Sequence, residues 1–447
     1  MAAPSSQSQS TITFATRPPA TPPTCLDSRI PRVCIRHPEY GSNPNNILLN
    51  LPAVDEATIT SDGGQAASAE IRRGLHHRTA WTAGAIIANN AFDRAYLTYD
   101  QAGRNRVDAV VPLDGVLPPG DYWLHLQREE MVPSQSESSS ISSPHMQTSP
   151  AKLTLEPYPI VPSFGDWRFP HGRLPSEWKS VYEAPSREAS GANSPSTLSA
   201  TVAPSPRPTS AEPSCCVSGS HSAVEYCRLI PRPDPWKEWF NSNAMSQYAL
   251  DPWCGIQDIA NLVPMRSDIH FLFDSNRFTV APKPSTPGCY ALAIHVLNDG
   301  IDELVPLYHN VAIQPSSAPL FGREFLFARF ALSIFPLVMS FVDSPAPRYL
   351  AISNLEDHSE PSKFAWMNGP QFALHLDRRG ESRTGSKRTF SQMSPDQQVE
   401  AEYDDCYSRR KRCSHVSEEL WRCTQWCLEH GQSTNATGCV EMDRLEA

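Results

Sequence analysis

Two short stretches of this chain, Glu225-Tyr-Cys-Arg-Leu-Ile-Pro231 and Asn261-Leu-Val-Pro-Met-Arg-Ser-Asp-Ile-His270-Phe-Leu-Phe-Asp274, carry side chains able to do acid–base or phosphate chemistry. The imidazole of His270 titrates near neutrality, so it can take up or release a proton at physiological pH. The guanidinium of Arg228 cannot. It stays protonated, has no lone pair to accept with, and donates in pairs to phosphate oxygens. Glu225 and Asp268 are carboxylates that read equally well as solvated or salt-bridged groups, and a buried Arg228 paired to Glu225 is a purely structural alternative.

The elements that must hold these residues can be read from apolar spacing. Glu225 to Ile230 predicts a strand, and Pro235 to Tyr248 a helix with Trp236, Trp239, Phe240 and Met245 near helical period. Ser267 predicts the cap of a helix running to about Ser275, in which Ile269, Leu272 and Phe273 face the core. His270 and Asp274, four apart, share another face of it. Arg277 to Pro282 and Tyr290 to Leu297 predict strands, and His295 and His309 read as structural histidines in a strand and a loop. The apolar run Phe325 to Val342 contains Arg329 and Pro336, and so predicts a buried amphipathic helix rather than a membrane span.

The two stretches resemble the HNH endonuclease domain found in many fungal proteins. Its matching segments read Glu-x-x-His-(Leu/Ile)-(Val/Ile)-Pro and Asn-x-(Val/Ile/Leu)-x-x-Arg-x-Asp-(Leu/Ile)-His-x-x-Phe-Asp. The resemblance implies an α+β fold with a ββα-metal core and hydrolysis of nucleic-acid phosphodiesters, with DNA the expected partner. It implies one divalent cation, expected to be Mg²⁺, with His270 a metal ligand and Glu225 and Asp268 supporting the ion. Asn261 would brace the loop that orients the strand. Arg228 stands where the family has the histidine that deprotonates the attacking water, a role worth roughly 100- to 10,000-fold in rate. The expectation is therefore an HNH-type nuclease weakened or silenced at Arg228, or a non-catalytic pseudo-nuclease serving as an interaction module. His221, in the preceding turn, is an alternative base.

Around this centre the 447-residue chain divides by composition. Residues 1–28 and the Ser/Pro-rich tracts 131–150 and 185–214 predict disorder; 29–130 predicts a β-rich domain, with strands at Val33–Arg36, Ile47–Leu51, Ala85–Ala88, Tyr96–Tyr99, Val107–Leu113 and Tyr122–Gln127. An apolar segment, 151–184, leads to the nuclease-like domain at 215–350. Residues 351–447 predict a mostly disordered, charged tail with a helix near 415–430. The 43 prolines and mean hydropathy of -0.40 fit a chain that packs only in part. A net charge of -10 gives no global attraction for nucleic acid, so binding would need local basic groups. The 12 cysteines show no disulfide framework, and the N-terminus has no signal-peptide core. An intracellular protein with no membrane anchor is expected, the basic quartet Arg409–Arg412 being compatible with nuclear import. Cys406, Cys413, Cys423, Cys427 and His430 lack zinc-knuckle spacing.

Overall fold

The computed structural model describes residues 11–12, 14–15, 30–41, 45–59, 70–127, 157–181, 213–232, 235–286, 289–298, 304–314, 321–353 and 362–378. The N-terminal part begins with β1 (Thr11–Ile12), β2 (Arg32–Arg36), β3 (Ile47–Pro52), β4 (Asp55–Ile59) and β5 (Glu70–His76). Helix α1 (His77–Ile87), β6 (Ala95–Thr98), β7 (Val116–Leu117) and β8 (Gly120–Leu126) complete it. One sheet runs β3-β2-β8-β6, with β2 antiparallel to β3 and parallel to β8; the other runs β1-β4-β5-β7. Val33 and Ile35 are fully buried while Cys34 between them is half-buried, the alternation of a strand with one core face.

Three expectations for this region are corrected. Ala85–Ala88 is not a strand: it forms the end of α1 and the residue after it. This helix buries residues on nearly all sides, and a short apolar run such as Ala85–Ala88 does not separate helix from strand. Its Gly84 lies against β8, where a Cβ would stand 3.1 Å from Leu124. Val107–Leu113 is a series of turns, with the amides of Val110 and Val111 both bonded to the Val107 carbonyl. Asp108 and Pro112 interrupt the β-branched run there. Within the first 28 residues, Thr11–Ile12 pairs with β4, and Ile12 is buried.

After α2 (Ser176–Ser180) come β9 (Val224–Arg228), α3 (Trp236–Ser242), β10 (Leu262–Arg266) and α4 (Ser267–Asp274). The hairpin β11 (Phe278–Thr286) and β12 (Cys289–Val296) follows, then α5 (Leu304–Tyr308) and α6 (Arg323–Val342). The expected helix over 235–248 is shorter, because Ala244 takes a left-handed conformation (φ 47°) and a 3-10 turn, Met245–Tyr248, replaces the rest. Order continues past 350 into β13 (Arg348–Ile352), β14 (Lys363–Met367) and α7 (Gly369–Arg378), whose Phe372 and Leu376 reach the core from otherwise polar sequence. The helix expected at 415–430, the C-terminal cysteines and Arg409–Arg412 lie outside the described residues, as do 128–156 and 182–212.

Helix α6 is the axis of the packing. Its length and composition would suit a membrane, yet most of it is buried inside the protein, against β3, β11 and α1. Pro336 is tolerated because it lies on the exposed side. Phe325, Phe327, Phe330 and Phe341 are almost wholly buried, each a gain of about 1.5–3 kcal/mol. The segment 157–181 wedges between α6 and α3: Trp167 stacks on Trp239 with centroids 5.7 Å apart, and the Trp239 indole donates to the Trp167 carbonyl at 2.7 Å. One apolar cluster runs from Val33 to Leu376, so the β-rich region and the 215–350 segment share a core within a single compact unit, Met1–Arg383.

Candidate functional site

Strands β9 and β10 pair antiparallel, with Glu225 opposite Met265 and Arg228 opposite Leu262, and α4 follows β10 directly. Ile269 and Phe273 are fully buried and anchor this helix to the core, which turns His270 towards β9. There His270 Nδ1 lies 3.1 Å from Glu225 Oε2, and Nε2 lies 3.2 Å from Asp274 Oδ2 one turn along the same helix. Both ring nitrogens thus face a carboxylate. The His270 side chain is 20 % exposed, against 41 % for Glu225 and 53 % for Asp274, so the cluster opens to solvent on its carboxylate side.

This arrangement sets the proton affinity of the imidazole. Burial alone would push His270 down, but the hydrogen bonds and charges of Asp274 and Glu225 more than offset it and hold the ring above its ordinary value. Both carboxylates thus favour the protonated ring when no metal is bound. With the proton gone from Nε2, that nitrogen and the Asp274 carboxylate are two donors suited to a divalent ion, Glu225 lying at the other nitrogen.

Of the residues singled out in the sequence, the structure brings Glu225 and His270 together, while Asp268 is engaged elsewhere. Asp268, in the first turn of α4, is held bidentately by Arg266 at 2.6 and 2.7 Å, which lowers its pKa. Arg228 is half-buried at the end of β9, opposite Leu262 in the ladder. Cys227 is buried, and burial pushes its thiol well up, as expected for an inert core residue. His221 is exposed in the turn before β9.

Asn261 is fully buried and works on the backbone. Its Oδ1 accepts from the Ile230 amide at 2.8 Å, and its Nδ2 donates to the carbonyls of Ile230 and Ile256 at 3.0 and 2.8 Å. These bonds fix the chain where it leaves β9. Two positioning residues were not singled out for the site from sequence. Asp274 carried a signal, the four-residue spacing from His270 on one helix face. Arg329, fully buried on α6, carried none: its Nη2 donates to the Phe273 carbonyl and its guanidinium lies 3.9 Å above the Phe273 ring.

Residues 215–281 match the family model for HNH endonucleases. Comparison with curated proteins and with solved structures gives no match. The HNH-matching segment contains Glu225, Arg228, Asn261, His270 and Asp274, and it ends inside β11. In order it holds the β9 strand, the α3 excursion, the β10 strand and the α4 helix. Asp55, His295 and His309 lie outside it.

Proposed function

We propose that the 215–281 segment is a metal-dependent HNH-type nuclease module with a ββα-metal core, acting on nucleic-acid phosphodiesters and weakened at Arg228. The observation that carries this reading is the His270 cluster on a β9-β10-α4 frame within the HNH-matching residues. His270 Nε2 and the Asp274 carboxylate would hold the divalent ion, expected to be Mg²⁺, which when bound stabilises charge developing on the leaving oxygen. With the ring proton on Nδ1, Glu225 would accept from it and leave Nε2 to ligate. Asp268 is not needed as a ligand, since Arg266 occupies it.

Arg228 limits the chemistry. A guanidinium can hold a phosphate but cannot accept a proton from water, so general-base assistance is missing at that position. That same feature favours a second reading, a non-catalytic module that binds nucleic acid. Incubating plasmid DNA with wild-type and His270→Ala protein in Mg²⁺ or Mn²⁺ tests the proposal. Slow cleavage by wild type that His270→Ala abolishes supports it, binding without cleavage supports the second reading, and equal cleavage by both proteins removes the assigned site.

A further inference from the structure

Away from the HNH-matching residues, the β1-β4-β5-β7 sheet, the β11/β12 hairpin and the residues after α5 converge on one fully buried carboxylate, Asp55. Its Oδ1 accepts from Lys283 Nζ at 2.5 Å and lies 3.0 Å from His309 Nε2; its Oδ2 accepts from the His76 amide at 2.8 Å. His295, on β12, brings Nδ1 to 3.9 Å from Oδ2, with its ring 5.2 Å from that of His309. The sequence reading of His295 and His309 as isolated structural histidines misses this meeting, because Asp55 lies more than two hundred residues earlier in the chain.

His295 is the telling member. It is fully buried, yet neither ring nitrogen makes a hydrogen bond, and Thr279 Oγ1, across the hairpin from it, makes none either. Buried polar atoms without partners are rare, because desolvating them is costly. One ligand atom from each of Asp55, His295 and His309 lies within 4.8 Å of the other two. Two imidazoles and a carboxylate are ligands of borderline divalent ions, zinc above all.

We infer that Asp55, His295 and His309 form a structural Zn²⁺ site that staples the N-terminal sheet to the hairpin following the HNH-matching segment. Two features of the metal-free arrangement must yield. The Lys283 ammonium occupies Asp55 Oδ1, so the ion displaces it or Lys283 releases a proton to solvent and stays neutral beside Asn310. His309 Nδ1 accepts from the Val296 amide at 3.2 Å, so Nε2 carries the ring proton; ligation through Nε2 moves that proton to Nδ1 and gives up this one long bond.

The test uses the full chain carrying His270→Ala, which removes the other candidate ion site. After Zn²⁺ loading and exhaustive dialysis, elemental analysis should find about one ion per chain, lost on adding His295→Ala. Co²⁺ loading of the His270→Ala chain, whose interior is unaltered, should give the visible bands of a low-symmetry imidazole-bound ion, and Lys283→Met should bind Zn²⁺ more tightly. The inference is overturned if the His270→Ala chain keeps no Zn²⁺ and shows no Co²⁺ bands, or if His295→Ala keeps its ion. Because no cleavage is read, these outcomes do not depend on the nuclease proposal.

Discussion

Arg329 on α6 donates to the carbonyl of Phe273, in the last turn of the helix that carries His270. Carbonyls at a helix C-terminus lack intrahelical partners and concentrate the negative end of the dipole, so a cation there is doubly favoured. Burial pushes Arg329 down to about 10, with the charges of Asp274 and Cys227 opposing the shift, and it remains a cation at neutral pH. The central helix thereby fixes the orientation of the candidate site.

Replacing Arg329 with Met keeps most of the volume and removes the charge-assisted bond and the contact with Phe273. The Phe273 carbonyl retains the Asn276 amide at 2.9 Å, so the loss is partial, about 1–3 kcal/mol. Urea denaturation should show it as a lower midpoint at unchanged slope. A midpoint equal to wild type would mean that the contact does not hold α4.

Asn261→Ala should cost more, because it strips partners from three buried backbone groups at once. A loss of at least about 3 kcal/mol in urea denaturation is expected. A loss under about 1 kcal/mol would contradict the bracing role.

The His270 cluster predicts how metal binding depends on pH. The folded-state pKa of His270 is raised, so in metal-free protein its stabilising contribution is full below the unfolded value near 6.5 and fades as pH rises through the folded value. A metal must displace that proton. Calorimetric Mn²⁺ affinity should therefore climb with pH through the same range, with proton release on binding, and Asp274→Asn should weaken it. Affinity that is flat across this range would exclude His270 as ligand.

Lys283 and Asp55 are both fully buried, so removing either leaves an uncompensated charge. With chelator present, Lys283→Met should cost about 3–5 kcal/mol, and adding Asp55→Asn should recover much of it. A double variant as unstable as the sum of the singles would show that the pair is not coupled.

How much of this could be read from sequence follows from what each signal encodes. Glu225, Asn261 and His270 were legible because their spacing carries the motif, and β9, α4 and α6 because their apolar runs mark them; β10, with a proline at its centre, carried no such mark. Helix α1 was not, since Ala85–Ala88 is a short apolar run that fits helix and strand alike. The helix period favours Asp274, four residues after His270, over Asp268, two before it, but the motif resemblance pointed to Asp268. Arg329 on Phe273 and Asp55 with Lys283, His295 and His309 join residues far apart in the chain, and no local pattern announces them.

The most direct measurement compares plasmid cleavage by wild type, Arg228→His and His270→Ala side by side in Mg²⁺. The account predicts slow cleavage by wild type, a rate roughly 100-fold or more higher for Arg228→His, and none for His270→Ala. Wild type cleaving as fast as Arg228→His, or His270→Ala cleaving like wild type, would contradict it.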